Sequence, residues 1–169
     1  MSRFISAHQY AKLTQIPRGR LAVRTKVYCG AIIEKKGKVL MVKSREDKYQ
    51  GWDFPGGKLL WNEDVFSCTE RETLEESRYK VKLTGLLGVY QAKTGPDDED
   101  YFRFVFIASL AHNHQRKTGD PDILEVKWVD IKKVIGNQEK VRSPEIIREL
   151  TDFVNGKQFP LNAVNMYVW

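Results

Sequence analysis

Residues 57–79 read GKLLWNEDVFSCTERETLEESRY. Within them Gly57, Glu63, Arg71, Glu72, Glu75 and Glu76 form one spaced pattern, G-x5-E-x7-RE-x2-EE. With each fixed type at roughly one position in fourteen, six fixed positions coincide by chance at roughly one start in ten million. Residues 63–77 contain no Gly or Pro, so the stretch predicts a helix of about four turns. Glu72, Glu75 and Glu76 then stand at i, i+3 and i+4 and share one face. Like charges at that spacing destabilise a bare helix by a few tenths of a kcal/mol per pair, so a cation is expected to offset them. Clustered carboxylates suit hard cations such as Mg²⁺ or Mn²⁺. Arg71 lies beside the cluster and can hold a carboxylate through a bidentate fork. An acidic helix face alone usually means solvated surface. Here Trp52-Asp53-Phe54-Pro55-Gly56-Gly57 precedes it, reading as a short strand and then a loop. Gly56 and Gly57 allow backbone conformations closed to other residues and a close approach to a ligand. A glycine loop facing an acidic helix makes a phosphate site.

The pattern resembles the Nudix box, G-x5-E-x7-R-E-U-x-E-E-x-G-U with U apolar, and the preceding W-x-F-P-G-G resembles the family's approach to it. The box covers residues 57–79, and the wider resemblance runs from about 27 to 135. It implies an α/β/α sandwich with a mixed sheet. It also implies hydrolysis, with a divalent metal, of a nucleoside diphosphate linked to another group. By position, Glu72, Glu75 and Glu76 would be metal ligands, Arg71 would orient them, Glu63 would support the site and Gly57 would shape the loop. Two positions depart from the box. Thr73 stands at an apolar position, where its methyl can face the core. Arg78 stands where the family has Gly, a residue that closes the helix in a left-handed conformation. A side chain there costs on the order of 1 kcal/mol. That affects how the helix ends rather than the chemistry, because every charged box position is intact.

A chain of 169 residues, 41% hydrophobic and 30% charged, fits one domain with a sizeable core. The expected division is a single domain over 1–169, with a helical N-terminal extension over about 1–20 and an apolar tail over about 157–169. A net charge of +6 favours anionic partners such as nucleotides and leaves RNA open. The two cysteines, Cys29 and Cys68, read as small buried thiols rather than a disulfide framework. No signal-peptide pattern and no long apolar run is visible, so the expectation is a cytoplasmic protein without membrane association.

Along the chain, residues 6–15 have helical character. Residues 26–33 and 38–43 flank the turn Glu34-Lys35-Lys36-Gly37 as a hairpin. Residues 80–90 are β-prone, with Gly85 and Gly88 either weakening the strand or marking bulges. An acidic loop is expected over 94–100, strands over 101–110 and 124–129, and a loop over 111–120. Ser143-Pro144-Glu145 opens a last helix that Gly156 ends. Strands interleaved with helices imply an α/β sheet covered on both faces.

Several residues are secondary site candidates. Glu125, before Trp128, is a candidate general base or extra ligand, with Asp120 and Asp122 weaker versions of the same idea. Lys43 and Arg45 close the second hairpin strand and can contact phosphate oxygens. Trp52, Tyr90 and Tyr101 can stack on a base, although packing is the commoner fate of such rings. His112 and His114 lack further ligand spacing and read as a loop. Pro96 reads as a turn. The end of the chain, Met166-Tyr167-Val168-Trp169, is apolar enough to need tying down against its own domain or a partner, so a homodimer is left open.

The expected function is metal-dependent hydrolysis of a diphosphate linkage in a small nucleotide-type substrate, releasing a nucleoside monophosphate or phosphate ester. Arg71, Glu72 and Glu125 are the catalytic candidates, with Glu72 or Glu125 taking the proton from water. Glu72, Glu75 and Glu76 are the metal candidates. Lys43, Arg45, Trp52, Gly56 and Gly57 are the substrate-binding candidates, and Glu63 is the support. Two alternatives stand beside this: hydrolysis at the 5′ end of RNA, and a Nudix-fold module that binds nucleotide without catalysis.

Overall fold

The protein is represented by a computed structural model that describes residues 25–45, 51–92, 100–115 and 120–166. The expected helix at 6–15, the acidic loop with Pro96, and the side chains of His112 and His114 lie outside the described residues. The hairpin forms as its sequence predicts. β1 (Lys26–Lys35) and β2 (Lys38–Ser44) pair antiparallel about Lys36 and Gly37, both left-handed, and the Gly37 N–H donates to Glu34 Oε1 at 2.6 Å. β4 (Tyr79–Ala92) pairs antiparallel with β5 (Tyr101–Gln115), and its register slips between Leu83 and Gly85 and between Leu86 and Gly88. The two glycines thus sit at β-bulges, where an extra residue bends the strand.

Two stretches depart from expectation. Gly56–Lys58, read as a loop, is β3, antiparallel to Tyr28, Cys29 and Gly30 of β1. Residues 111–115, also read as a loop, continue β5, because Gln115 pairs with Tyr79 at the start of β4. In both cases pairing with a neighbour outweighs a polar or glycine-rich composition.

The sheet runs β4-β5-β1-β2-β6, with β3 also on β1 and β6 spanning Ile123–Asp130. It is mixed, since β1 and β5 are parallel from Lys26–Tyr101 to Ile33–Ala108 while the other pairs are antiparallel. Alternate residues of the central strands feed two cores. On one face Cys29, Ala31, Phe106, Val81 and Leu83 pack against Val65 and Cys68 of helix α1 (Val65–Ser77). On the other, Ile32, Val39, Met41 and Val105 pack against Val134 of α2 (Ile131–Ile135) and against Ile146 and Leu150 of α3 (Pro144–Val154). Helices on both faces of a mixed sheet make the α/β/α sandwich.

α3 opens at Ser143 with Pro144 in its first turn, and left-handed Gly156 follows its end. Burying a residue such as Leu150 stabilises by roughly 1.5–3 kcal/mol. α2 has no counterpart in the sequence reading, being too short for a periodic pattern. The described part of the tail returns to its own sheet, while Tyr167, Val168 and Trp169 of the apolar end lie outside the described residues. Phe159 pairs with Leu86, while Leu161 and Val164 pack on the α1-side core. Among the described residues no helix is long and apolar enough to cross a membrane.

Candidate active site

α1 begins two residues later than its composition suggests, because Asp64 caps it. Asp64 Oδ1 accepts from the N–H groups of Phe66 (2.9 Å) and Ser67 (2.8 Å), and Oδ2 accepts from the Ser67 hydroxyl (2.7 Å). Burial pushes the Asp64 carboxyl up, but these hydrogen bonds outweigh it and hold it below the usual range. Glu63 is left just outside the helix, on the turn that leads in. At the other end Arg78 adopts φ 68°, ψ 2°, and its N–H donates to the Leu74 carbonyl at 3.0 Å. The left-handed ending that the family assigns to Gly is therefore present with an arginine in it.

Arg71 is the hub. Its Nε and Nη2 fork onto the two oxygens of Glu63 at 2.6 and 2.8 Å. Its Nη1 donates to Glu72 Oε1 at 2.7 Å and Glu75 Oε2 at 3.1 Å, and Nη2 also reaches the Lys58 carbonyl at 3.3 Å. The sequence placed a fork on the helix cluster. The fork instead goes back to Glu63, and one nitrogen serves the cluster. The hydrogen bond from Arg71 draws the Glu63 carboxyl down to about 2. The same bonds raise the Arg71 guanidinium above its ordinary value.

The carboxylates lie against the glycine strand. A methyl on Gly57 would overlap the Glu72 carboxyl group, and one on Gly56 would overlap the Cys29 carbonyl across the β1–β3 ladder. Neither glycine has positive φ, so close approach rather than special backbone geometry requires them. Glu76 Oε2 accepts from the Gly56 N–H at 2.8 Å. Burial pushes its carboxyl up to about 8, opposed by the Gly56 N–H and reinforced by the charges of Asp53, Glu72 and Asp120. Burial, relieved in part by Arg71, also raises Glu72.

Beyond Glu76 a cavity of about 280 Å³ opens between the end of α1 and β6, with Glu76, Arg78, Asp120 and Glu125 on its walls and Leu40 and Trp128 as apolar lining. The Asp120 N–H donates to the Glu75 carbonyl at 2.9 Å, which ties the segment before β6 to the acidic helix. Glu125 and Asp120, weighed from sequence as an extra acid, thus share a cavity with Glu76. The acidic oxygens are the donor type for Mg²⁺ or Mn²⁺, and Glu76, raised first by burial and then by the charges of Asp53, Glu72 and Asp120, is a carboxylate that a bound cation would help to ionise. Among the described residues no three such acidic side chains stand close enough together to enclose a metal as they are placed, while Arg71 engages one oxygen each of Glu72 and Glu75.

The remaining sequence candidates separate. Lys43 is in register with Glu125 across β2–β6, and Arg45 binds the turn before β6, its N–H on the Asp122 carbonyl and its Nε on the Pro121 carbonyl. Trp52 is 7% exposed in the α3-side core, with Lys127 over its ring, so it offers no free face for stacking. Its apolar neighbours Phe54 and Ile146 explain that fate. The Tyr90 hydroxyl donates to Asp152, and Tyr101 packs edge-on against Tyr28. Cys29 and Cys68 are both buried free thiols, as expected.

Sequence reading missed a buried charge group on the α3 side. Arg103 donates to Asp53 Oδ1 at 2.7 Å and stands 3.8 Å from Glu149, whose carboxylate oxygens have no hydrogen-bond partner. Burial pushes the Glu149 carboxyl up to about 7, opposed by Arg103 and reinforced by Asp53 and Glu145. The signal was available in Arg103, a charge set among the phenylalanines of β5.

The comparisons with known proteins agree with this geometry. The family model of the NUDIX domain matches residues 23–150. An ADP-ribose pyrophosphatase of Methanocaldococcus jannaschii is 29% identical over 134 residues, covering 77% of this chain and 78% of that protein. An 8-oxo-dGTP diphosphatase of Buchnera aphidicola subsp. Schizaphis graminum is 41% identical over 59 residues, 34% of this chain and 45% of that one. A NUDIX hydrolase structure from Nitrosomonas europaea superposes with a TM-score of 0.78 at 25% identity, covering 85% of this chain and 98% of that one. With every charged position of the box in place on the helix, strand and loop described above, the chain belongs to the NUDIX family and is a hydrolase of that type.

Proposed function

We propose that this enzyme is a divalent-metal-dependent hydrolase of a small nucleotide-type substrate, cleaving a diphosphate linkage to release a nucleoside monophosphate or phosphate ester. The observation that carries the reading is that Glu76, Asp120 and Glu125 line one cavity beside the Arg71-held pair Glu72 and Glu75. Glu72, Glu75 and Glu76 are the residues that would hold Mg²⁺ or Mn²⁺. A cation bound there supplies Lewis-acid polarisation of a phosphoryl oxygen and a water of lowered pKa. Arg71 keeps Glu72 and Glu75 in fixed rotamers through its bonds to both and to Glu63, so little side-chain entropy remains to be lost when they bind. Gly56 and Gly57 let the β3 backbone lie against Glu72 and Glu76, with the Gly56 N–H holding a Glu76 oxygen at 2.8 Å. Glu125, on the far wall, is the better proton acceptor of the two sequence candidates, because one oxygen of Glu72 is already engaged by Arg71. Lys43 and Arg45 then serve by bracing the β6 segment that carries Asp120 and Glu125.

The names of the relatives point to two linkages, ADP-ribose and an 8-oxo-purine nucleoside triphosphate, so both belong in a substrate panel with nucleotide sugars and 5′-triphosphorylated RNA. A small nucleotide is favoured over RNA because, among the described residues, no basic stripe lines the cavity. Such a substrate suits a cytoplasmic enzyme. The test is steady-state hydrolysis with Mg²⁺ or Mn²⁺ by wild type, Glu76→Gln and Glu125→Gln. Glu76→Gln is expected to lose at least about a hundredfold in rate while keeping its fold, and to bind Mn²⁺ more weakly. Glu125→Gln is expected to lower kcat with Mn²⁺ affinity unchanged. Wild-type rates in Glu76→Gln would refute the site, and hydrolysis without added metal would refute the metal dependence.

A further inference from the structure

We infer that Arg78 selects substrates whose group beyond the cleaved diphosphate is itself anionic, a polyphosphate end rather than a neutral sugar or ribose. The inference deepens the reading just given and rests on it. Arg78 lies on the wall of the cavity that holds Glu76, Asp120 and Glu125, two residues beyond Glu76 in the chain. It is the only cation among the described lining residues. The cavity is otherwise hostile to a further phosphate, since three carboxylates repel it, and a guanidinium is the side chain best shaped to accept two phosphate oxygens at once.

Two features separate Arg78 from an incidental surface arginine. Its side chain makes no hydrogen bond or ion pair with any described residue, whereas Arg71, Arg103 and Arg148 are each engaged by carboxylates. Its donors are therefore available to a ligand. Its backbone is also held left-handed at φ 68°, a conformation that L side chains adopt at a cost and that glycine would adopt freely. Unfavourable backbone geometry beside a cavity of reactive groups is where a functional role is expected. A nucleoside triphosphate bound with the bond to be cleaved beside Glu76 would extend its remaining phosphate toward Arg78. The ribose of ADP-ribose in the same place would offer the guanidinium no charge.

The experiment compares kcat/KM for a nucleoside triphosphate and for ADP-ribose in wild type, Arg78→Asn and Arg78→Lys. Asn tolerates the left-handed conformation, so Arg78→Asn removes the charge while leaving the helix ending in place. Wild type is expected to prefer the triphosphate. The ratio should fall about tenfold in Arg78→Asn, chiefly through the triphosphate KM, and recover in part in Arg78→Lys, as expected for one charge-assisted contact. A ratio insensitive to residue 78, or a wild-type preference for ADP-ribose, would overturn the inference. Absence of hydrolysis of every substrate by wild type would instead strike the proposed function. Calorimetric binding of inorganic tripolyphosphate with Mg²⁺ then decides the role of Arg78 separately, with weaker binding by Arg78→Asn supporting it and equal affinity overturning it.

Discussion

At residue 57 the absence of a side chain is what lets the Glu72 carboxyl lie against the β3 backbone. Gly57→Ala puts a methyl into that space, and Glu72 cannot swing aside without losing its 2.7 Å bond to Arg71. The variant should therefore lose about a hundredfold in kcat/KM, the scale of a misplaced catalytic group, and about 1–3 kcal/mol of stability from overpacking. Hydrolysis assays paired with urea denaturation read both, and near-normal activity would show that Glu72 needs no such fit. Arg78 is the converse case, in which a Cβ is kept where glycine would cost less, by roughly 1–2 kcal/mol. Both positions show that the site is shaped by what its backbone tolerates as much as by its charged groups.

At the scale of single elements, α1 depends on its ends. Its acidic face makes it a poor helix by itself, so the Asp64 cap carries weight. Asp64→Ala removes three accepted hydrogen bonds, and a loss of about 1 kcal/mol is expected, measured as a shift in the urea midpoint with an unchanged slope. A shift indistinguishable from zero would mean that packing alone holds the helix start. Elements with a local signal could be read from sequence: the β1–β2 hairpin through Lys36-Gly37, the bulges at Gly85 and Gly88, and α1 through its charge spacing. The family and the α/β/α architecture were legible for the same reason. What the sequence hid depends on partners far along the chain. Gly56–Lys58 looks like a break until β1 is beside it, and residues 111–115 look like a loop until Tyr79 pairs with Gln115. Trp52 looked like a stacking residue because no local pattern reveals that α3 will cover it. Glu63 as the fork partner of Arg71, and Asp53–Arg103–Glu149 as a buried group, likewise need the fold to bring them together.

For the molecule as a whole, acid and base should act through Glu149, enclosed between sheet and α3. Its native carboxyl titrates near 7 against an ordinary 4.5, so between those values the folded chain holds a proton that the unfolded chain has released. Through Glu149 stability should accordingly fall as pH rises from about 4.5 to about 7, by an amount on the order of a few kcal/mol, and the fall should continue to about 8 through Glu76, whose carboxyl burial also raises. Glu149→Gln, neutral throughout, should lose the Glu149 part of the slope and gain stability most at pH 8. Thermal melts of both proteins across this range test it, and parallel curves would place the titration elsewhere. The parallel pairing of β1 with β5 has a further consequence, during synthesis. Lys26 meets Tyr101, so the centre of the sheet waits for a strand made some seventy-five residues later. At about 5–20 residues per second the ribosome takes roughly 4–15 seconds to supply it. Through that interval the edge of β1 that β5 will cover is unpaired, the kind of exposed edge on which other nascent chains can add a strand.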